Sequence, residues 1–525
     1  MLLDAERRDE NWFRDRIFDF CIIGSGPAGI TLALSLARRG HSVGLFEGGG
    51  MDRSSASQDL YVGASIGQDY FGLNHCRLRF FGGSSNHWGG WCRALDDYDF
   101  IKKRHYPFSG WPISKSELDP YREEAGRVLD LLTPLEEKDP NKLNSVALKR
   151  IHFEASPPTR FGTKFGGELR ASNNLCVYIK SNLIDLRLDD SRRSVTEAHF
   201  RSYEREEAFV VRARYFALCL GGLENPRALM NCTSQIENGI GNQESMVGRF
   251  FCEHLHYTVG EIVFERSAPV SWSFWAPTEA MIERKEILNF GLRVQPTGAW
   301  FRGGPPQGRS TRKEKYAEPP PWAGERSPTF FREMPFMEML FARECKSAFN
   351  LRLAQAMRAE SVDCSTTGSL RIASEQEATV DSRVTLSNVT DRFGWRRINL
   401  DWRLSALDFQ TIRLATMTFG KLIATNHIGR LKVSDWLLDT SEKFPTTAQD
   451  EVGGCHHMCT TRMSDNSRTG VVDSNCCVHG MRNLFIGGSS VFSTTGHANP
   501  TYTIVQLALR LGDYLDTKRS EGHGF

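Results

Sequence analysis

The segment GCHHMCTTRM, residues 454–463, places two histidines and two cysteines within five consecutive positions. Side chains of these types either bind a metal ion together or include one imidazole that accepts a proton. A structural zinc site needs four converging ligands, commonly at CxxC or HxxxH spacing. Here Cys455 and Cys459 are four residues apart, and the neighbours His456 and His457 would point to opposite faces of an extended chain. The spacing therefore disfavours a metal site.

More candidate ligands follow in Cys476, Cys477 and His479, but their spacing is not that of a recognised ligand pair. Thirteen cysteines without regular spacing, in a chain without a secretory signal, indicate buried reduced thiols rather than disulfides. We therefore predict no metal and interpret the segment as carrying an acid–base group. A neutral imidazole, with an unperturbed pKa of about 6.5, accepts a proton near neutral pH.

A dinucleotide-binding motif near the N-terminus could position such chemistry. The apolar run Ile17–Ile23 predicts a strand, and the glycine turn GSGPAG (residues 24–29) and a helical segment follow it. A second strand, residues 42–46, ends at Glu47. This order predicts the first βαβ unit of a dinucleotide fold, with the helix N-terminus facing the phosphates.

Each glycine of this turn has a predicted role. Gly24 would make the tight turn, Gly26 would let the pyrophosphate approach the backbone, and Gly29 would let helix and strand pack closely. Glu47 stands where a carboxylate would bind a ribose hydroxyl. These residues predict dinucleotide binding.

Two later segments repeat the pattern of a buried strand followed by glycines. Residues 215–220 (YFALCL) precede Gly221 and Gly222, and residues 483–486 precede the sequence GGSS. A helix is predicted to begin at Pro500. The nucleotide domain is thus predicted to be assembled from both ends and the middle of the chain.

The intervening chain has a different pattern. Residues 256–300 and 368–402 predict mainly strands, paired antiparallel because no helices separate them. Residues 342–359 predict a helix, and residues 303–328, rich in proline and charge, predict a long loop. This pattern predicts a second domain that is built on a β-sheet.

The overall composition narrows the class of protein. A length of 525 residues predicts two or more domains, and a net charge of +2 argues against nucleic acid as a partner. No segment approaches the roughly 20 apolar residues that span a bilayer. The charged N-terminus does not fit a signal peptide, so we predict a cytoplasmic protein without a membrane segment. The oligomeric state stays open.

Taken in order along the chain, these motifs resemble the glucose–methanol–choline (GMC) family of flavoprotein oxidoreductases. Besides GSGPAG, the resemblance is carried by RFFGGSSNHWGGWCRALDDYDF (79–100), LCLGGLENPRALM (218–230), VGRFFCEH (247–254), EQEATVDSRVTLS (375–387) and the block 456–511. It covers most of the chain. Within the family, the sequence is most similar to the sugar-oxidising branch, which includes pyranose 2-oxidase, fructose dehydrogenase and glycoside 3-oxidases.

The resemblance implies an α/β flavoprotein of two lobes that holds FAD in an extended conformation. The Rossmann-like FAD-binding domain is expected in residues 1–100, 181–255 and 451–525. An α+β substrate-binding domain, built on a mainly antiparallel sheet, is expected in residues 101–180 and 256–450. FAD rather than NAD follows from the family, since the glycine motif serves both.

The resemblance also implies the catalytic pair. The family's histidine stands seven residues before the methionine of its motif, which here is Met463 and gives His456. The second residue, histidine or asparagine, stands nine residues past a serine, and counting from Ser490 gives Asn499. His497 lies two residues earlier and is not the implied position.

The predicted cofactor-binding residues come from all of these motifs. They are Gly24, Gly26, Pro27, Ala28, Gly29, Glu47, Gly83, Ser84, Asn86, His87, Trp88, Gly221, Gly222, Gly488, Ser489, Pro500 and Thr501. His87 falls on a position that in pyranose oxidase is covalently attached to the flavin, although Asn86 replaces a threonine there. Covalent attachment and a stacking or hydrogen-bonding role of His87 both stay open.

The leading hypothesis is an FAD-dependent enzyme that oxidises a CH–OH group of a sugar, glycoside or other alcohol, with O2 or another compound as electron acceptor. A flavin-containing lyase without net redox chemistry would use the same histidine. A dehydrogenase subunit of a cytochrome-linked complex is a third reading, and it would place the protein in the periplasm. A non-enzymatic protein held together by a metal is the remaining class.

Overall fold

The structure is a computed structural model that describes residues 1–8, 12–13, 16–131, 145–269, 274–296 and 364–521. The helix predicted at residues 342–359 and the loop predicted at residues 303–328 lie outside these residues. Along the described chain, no helix is both long enough and apolar enough to cross a bilayer.

A mostly parallel sheet, here called the nucleotide sheet, forms the first lobe. Its strands lie in the order Leu2–Asp4, Leu175–Ile179, Val43–Phe46, Ile17–Ile23, Phe209–Leu218, Val195–Arg201 and Asn182–Leu188. The second half of Phe209–Leu218 pairs in parallel with Leu484–Ile486. The strands predicted at residues 17–23, 42–46 and 483–486 form within one residue of their predicted bounds, and the one predicted at residues 215–220 is the end of a strand that begins six residues earlier; all four join one sheet.

Two helices from opposite ends of the chain pack beside this sheet. Pro27–Arg38 starts with proline in its first turn, and Pro500–Ser520 starts in the same way. They approach closely at Gly512, where a Cβ atom would lie 2.6 Å from Ser35 Oγ. The two ends of the chain thereby share one core.

The second lobe is built on an antiparallel sheet, here called the substrate sheet. Its strands lie in the order Gly429–Val433, Leu255–Pro269, Cys364–Ser374, Phe290–Pro296, Phe274–Pro277 and Leu148–Ile151. The antiparallel pairing confirms the prediction for the described part of residues 256–300 and for residues 368–374, whereas the strands after residue 382 pair antiparallel in a separate sheet. A short helix, Glu279–Lys285, interrupts these strands and was not predicted.

The two faces of the substrate sheet differ in chemistry because side chains alternate along each strand. Leu292 and Ile372 point to an apolar face and share a core with Phe409 and Phe419 of the helix Ala406–Thr425. Phe274, Arg293 and Arg371 lie opposite one another on adjacent strands and therefore share the other face. One face of the sheet is thus buried in the hydrophobic core, and the other face can line a ligand-binding site.

Shorter elements complete the described fold. Two further strand groups form, with Gly63–Ser65, Arg383–Thr390 and Arg396–Asp401 in one and Trp91–Cys92 and Glu154–Ala155 in the other. The remaining α-helices are Ser55–Asp59, Asp97–Phe100, Arg122–Val128, Phe161–Ala171 and Glu224–Asn231. The mixed α/β class is confirmed. Leu175–Ile179, placed by sequence in the substrate domain, pairs with Val43–Phe46 instead; the full domain division stays a prediction.

Candidate active site

The glycine turn after the first parallel strand leaves a cradle at the start of a helix. Gly24 has a φ of +107°, and a Cβ atom there would lie 2.4 Å from the Cys219 carbonyl oxygen. A Cβ atom at Gly29 would lie 1.9 Å from the Gly24 oxygen, whereas a Cβ at Gly26 would meet nothing within 4 Å. The turn is closed behind Gly24 and Gly29 and open at Gly26, as a phosphate group requires.

Other predicted cofactor residues meet this turn. A Cβ atom at Gly83 would lie 3.1 Å from Gly26 Cα, and one at Gly488 would lie 4.0 Å from the Ala28 Cβ. At Gly221, with φ +91°, a Cβ atom would face open space. These backbone segments therefore border the same open region, and they fit a dinucleotide.

Glu47 joins the turn to the end of the second parallel strand. Its buried carboxylate accepts hydrogen bonds from the Ser25 backbone N–H at 3.1 Å, the Ser25 hydroxyl at 2.6 Å and the Gly49 N–H at 2.7 Å. Carboxylate oxygens can accept more than one donor each, so these bonds leave capacity for a ribose hydroxyl.

The NHW segment is held mainly through Asn86 and Trp88. Asn86 donates to the Phe81 and Gly83 carbonyl oxygens at 3.0 and 2.9 Å, and Trp88 Nε1 donates to the Thr159 oxygen at 2.9 Å. The His87 backbone N–H donates to the Ser84 oxygen at 3.2 Å, and its imidazole makes no hydrogen bond to any residue that the structure describes. Burial lowers the pKa of His87 to about 4, which keeps its imidazole neutral at pH 7.

The segment of residues 454–463 is held between two other parts of the chain. Met458 exchanges both backbone hydrogen bonds with Cys252, at 3.0 and 3.2 Å. Cys459 N–H donates to Ser489 O at 3.1 Å, and the Ser489 hydroxyl donates to the His457 oxygen at 2.7 Å. The segment is therefore fixed directly beside the predicted cofactor residue Ser489.

The two adjacent histidines have separate environments, as their alternation predicted. His457 is buried, and its Nε2 lies 3.0 Å from the Tyr70 hydroxyl and 3.5 Å from Cys76 Sγ. His456 instead contacts His254, with 3.0 Å between the two Nδ1 atoms. The backbone N–H of His456 donates to the buried carboxylate of Glu253 at 2.8 Å.

The contacts of His254 assign the proton positions on His456. His254 Nε2 lies 3.4 Å from the Thr495 carbonyl oxygen, which only accepts, so Nε2 carries the hydrogen. Burial lowers the pKa of His254 to about 3, so the ring is neutral and its Nδ1 is an acceptor. His456 Nδ1–H must then donate to it. This leaves His456 Nε2 with a free lone pair, the form that a general base needs.

Known proteins resemble this chain in both sequence and fold. Residues 378–508 match the model of the GMC oxidoreductase family. This region carries the C-terminal domain of GMC oxidoreductases. The chain is therefore an oxidoreductase of alcohol-type substrates, and its relatives in the family depend on FAD.

Individual relatives match the chain along nearly its whole length. A 2-methyl-1,2-propanediol dehydrogenase of Mycolicibacterium austroafricanum is 23% identical over 96% of both chains. Pyridoxine 4-oxidase of Mesorbium loti has a similar structure, with a TM-score of 0.56, 16% identity and coverage of 97% of this chain and 100% of the other. A formate oxidase structure gives a TM-score of 0.53, 15% identity and coverage of 96% and 99%. At these identities the solved structures show the fold alone.

The other predicted catalytic residue, Asn499, lies at the N-cap of the helix Pro500–Ser520. Its side chain is half-buried and makes no hydrogen bond to the described residues. His456 and Asn499 share no hydrogen bond, and the chain connects them through His254 and Thr495, four residues before Asn499. The catalytic pair stays a prediction.

Three other histidines near His456 were not assigned to the site from the sequence. His256 has its ring 6.0 Å from that of His456, and its Nε2 has no partner among the described residues. His497 is 1% exposed, and neither ring nitrogen has a partner there. The pattern His254-Leu255-His256 was the available signal, because alternate residues of a strand share one face. Within the described chain, no three His, Cys, Asp or Glu side chains are arranged to hold a metal ion.

Replacing Gly29 with alanine tests whether the glycine turn forms the cofactor cradle. The added Cβ would lie 1.9 Å from the Gly24 oxygen, so strand and helix must separate. We expect a loss of roughly 1–3 kcal/mol in the free energy of unfolding, together with loss of bound flavin. Thermal unfolding and flavin absorbance of the purified protein measure the two effects.

Gly167→Ala is the matched control for this substitution. Gly167 lies in the helix Phe161–Ala171, and its Cβ would meet nothing within 4 Å. Alanine should stabilise that helix by about 0.5–1 kcal/mol and leave flavin binding unchanged. A Gly29→Ala protein that keeps both its stability and its flavin would contradict the assigned cradle.

Proposed function

We propose that this GMC oxidoreductase oxidises a CH–OH group of a sugar or glycoside, with His456 as the base that takes the hydroxyl proton. The observation that carries the proposal is the free lone pair on His456 Nε2, which the hydrogen bond to His254 leaves available. Bound FAD would accept the hydride that leaves the same carbon. An oxidoreductase of alcohols needs this pairing of proton acceptor and hydride acceptor.

The chain's own residues would orient the alcohol. Asn499, with its unengaged amide, would donate a hydrogen bond to the substrate oxygen without competing for its proton. Positioning of this kind can contribute about 7–11 kcal/mol to the lowering of a barrier. The helix that begins at Pro500 would place its positive end towards charge that develops during the reaction.

FAD would be held by the cradle at Gly26, by Glu47 at the ribose, and by the backbone at Gly83, Gly221 and Gly488. His87, whose imidazole makes no hydrogen bond to the described residues, stands at the position that the resemblance gives for covalent attachment. Precipitation in acid separates covalent attachment from a stacking role, since only covalently bound flavin stays with the pellet.

The test of the proposed function is anaerobic mixing of the holoenzyme with a panel of sugars, glycosides and simple alcohols. Bleaching of the flavin absorbance by a sugar or glycoside supports the proposal. A substrate that is consumed without bleaching would instead indicate a lyase. Reoxidation by O2 or by a dye then identifies the class of electron acceptor.

The buried site also predicts how the rate depends on pH. Burial, and then the neighbouring rings of His254, His256 and His457, lower the pKa of His456 well below 6.5. A base with a lowered pKa stays unprotonated to a lower pH, so kcat/KM for the alcohol should remain level through pH 6.5 and fall only in more acidic solution. A pH profile of kcat/KM, with flavin content checked at each pH, measures this. An acid limb centred at pH 6.5 or above would contradict it.

A further inference from the structure

The site-facing side of the substrate sheet carries a guanidinium, that of Arg293, which forms no ion pair with any described residue. Arg293 lies opposite Phe274 on one neighbouring strand and opposite Arg371 on the other. Arg371 bonds to Glu451, whereas Arg293 has no hydrogen bond and no ion pair with any described residue. A guanidinium has five N–H donors, so all of the donors of Arg293 are available.

Aromatic rings surround this cation without using its donors. The guanidinium carbon of Arg293 lies 5.1 Å from the centroid of Trp91 and 5.9 Å from that of Phe274. Cation–π contacts contribute about 0.5–2 kcal/mol, but they hold the planar group in place rather than satisfy its N–H groups. Burial, and then the charge of Arg371, lower the pKa of Arg293 to about 10, so it remains charged at pH 7.

A continuous set of contacts connects Arg293 to the proposed base. Phe274 packs 4.6 Å from Phe153, whose ring lies 6.3 Å from that of His497. A Cβ atom at Gly291, two residues before Arg293 on the same face, would lie 3.4 Å from the His497 ring. His256 covers the remaining distance. It lies opposite Ala373 on one neighbouring strand, as Gly291 does on the other, and its ring is 6.0 Å from that of His456.

Three buried ring nitrogens along this set also lack partners among the described residues: His256 Nε2 and both nitrogens of His497. Leaving a buried polar atom without a hydrogen bond lowers stability by about 1–3 kcal/mol. Several such atoms in one region therefore indicate that a polar ligand forms the missing hydrogen bonds. Hydroxyl groups can both donate to and accept from imidazole nitrogens. The region is therefore built for a hydroxylated ligand that ends in a negative charge.

We infer that Arg293 binds an anionic group of the substrate, so that the alcohol oxidised at His456 is an acid, with a carboxylate or phosphate at one end and hydroxyls towards His256 and His497. This inference rests on the proposed function for its reaction, but not for its binding site. A planar guanidinium can form two parallel hydrogen bonds with a carboxylate or phosphate. A neutral sugar would leave the charge of Arg293 unmatched.

The test compares acids with matched neutral compounds on the holoenzyme. Glucuronate and glucuronamide differ only at the charged group, and glucose 6-phosphate and glucose form the phosphate arm. Stopped-flow bleaching gives kcat/KM for each, and calorimetry of the oxidised holoenzyme gives Kd. We expect one acid to exceed its neutral partner by about 10- to 100-fold, in line with hydrogen bonds to charged groups. Equal values in both arms would overturn the inference without any variant.

Variants then assign the preference to Arg293. Arg293→Gln should remove the ratio between acid and neutral compound, Arg293→Lys should keep part of it, and Arg371→Gln should leave it intact because Arg371 is already paired with Glu451. Flavin content and thermal unfolding control for folding. A ratio that survives Arg293→Gln, or that falls equally in Arg371→Gln, would overturn the inference.

The two proposals fail in distinguishable ways. Suppose that glucuronate or glucose 6-phosphate binds in a way that depends on Arg293, but no alcohol bleaches the flavin. That result would contradict the proposed function and support the anion site. Flavin bleaching by neutral sugars, without any preference for an acid, would support the proposed function and contradict the anion site.

Discussion

His456→Ala is expected to retain FAD and to lower the rate of flavin reduction by an alcohol about 10²- to 10⁴-fold, the usual contribution of a general base. The free Nε2 lone pair disappears, so the hydroxyl proton has no acceptor as the hydride departs. Anaerobic stopped-flow absorbance measures the rate, and the ratio of flavin to protein absorbance measures cofactor content.

The matched control is His457→Gln. His457 is the sequence neighbour, and its ring contacts Tyr70 and Cys76 rather than the other histidines. Glutamine keeps a polar group in that environment, so flavin reduction should stay within a few-fold of the wild-type rate. Unchanged reduction in His456→Ala, or an equal loss in both variants, would exclude His456 as the base.

His254→Phe is expected to lower kcat for the alcohol by about 10²-fold, although His254 is a positioning residue. Removing its Nδ1 leaves the His456 Nδ1–H without an acceptor, and the imidazole then loses the preference for the tautomer with a free Nε2. An incorrectly oriented histidine tautomer in a serine protease triad costs about 10⁴-fold, which sets the upper limit. Steady-state kinetics at several pH values measure kcat, KM and the acid limb.

His254→Asn is the conservative counterpart, because the asparagine oxygen can accept the same hydrogen bond near the position of Nδ1. We expect His254→Asn to retain most of the wild-type kcat. We expect the acid limb of the pH profile to shift in His254→Phe alone. Equal losses in both variants, with unchanged pH profiles, would indicate that His254 only fills space.

Sequence reasoning identified the elements that local chemistry encodes. Ile17–Ile23 forms with the predicted bounds because an apolar run followed at once by glycine leaves few alternatives. The helix at Pro500 begins where proline fixes the first turn. The resemblance to the GMC motifs added a prediction of the family and of the enzyme class. Composition alone could not predict either.

Sheet membership was harder to predict because it depends on distant partners. LCVYI at Leu175–Ile179 has an obvious strand composition, yet nothing local tells that it pairs with Val43–Phe46 of the first lobe. His254 and His256 gain their roles in the same way. Their strand, or its edge, meets the His456 segment some 200 residues further along the chain.

The parallel sheet has a consequence for synthesis in the cell. Phe209–Leu218 can gain its partner Leu484–Ile486, and Pro27–Arg38 its neighbour Pro500–Ser520, only once the last part of the chain has left the ribosome. Translation proceeds at about 5–20 residues per second, so the early apolar strands stay partly exposed to solvent for many seconds. Nascent-chain handling by chaperones, rather than final stability, should then limit yield, and short C-terminal truncations should aggregate during translation.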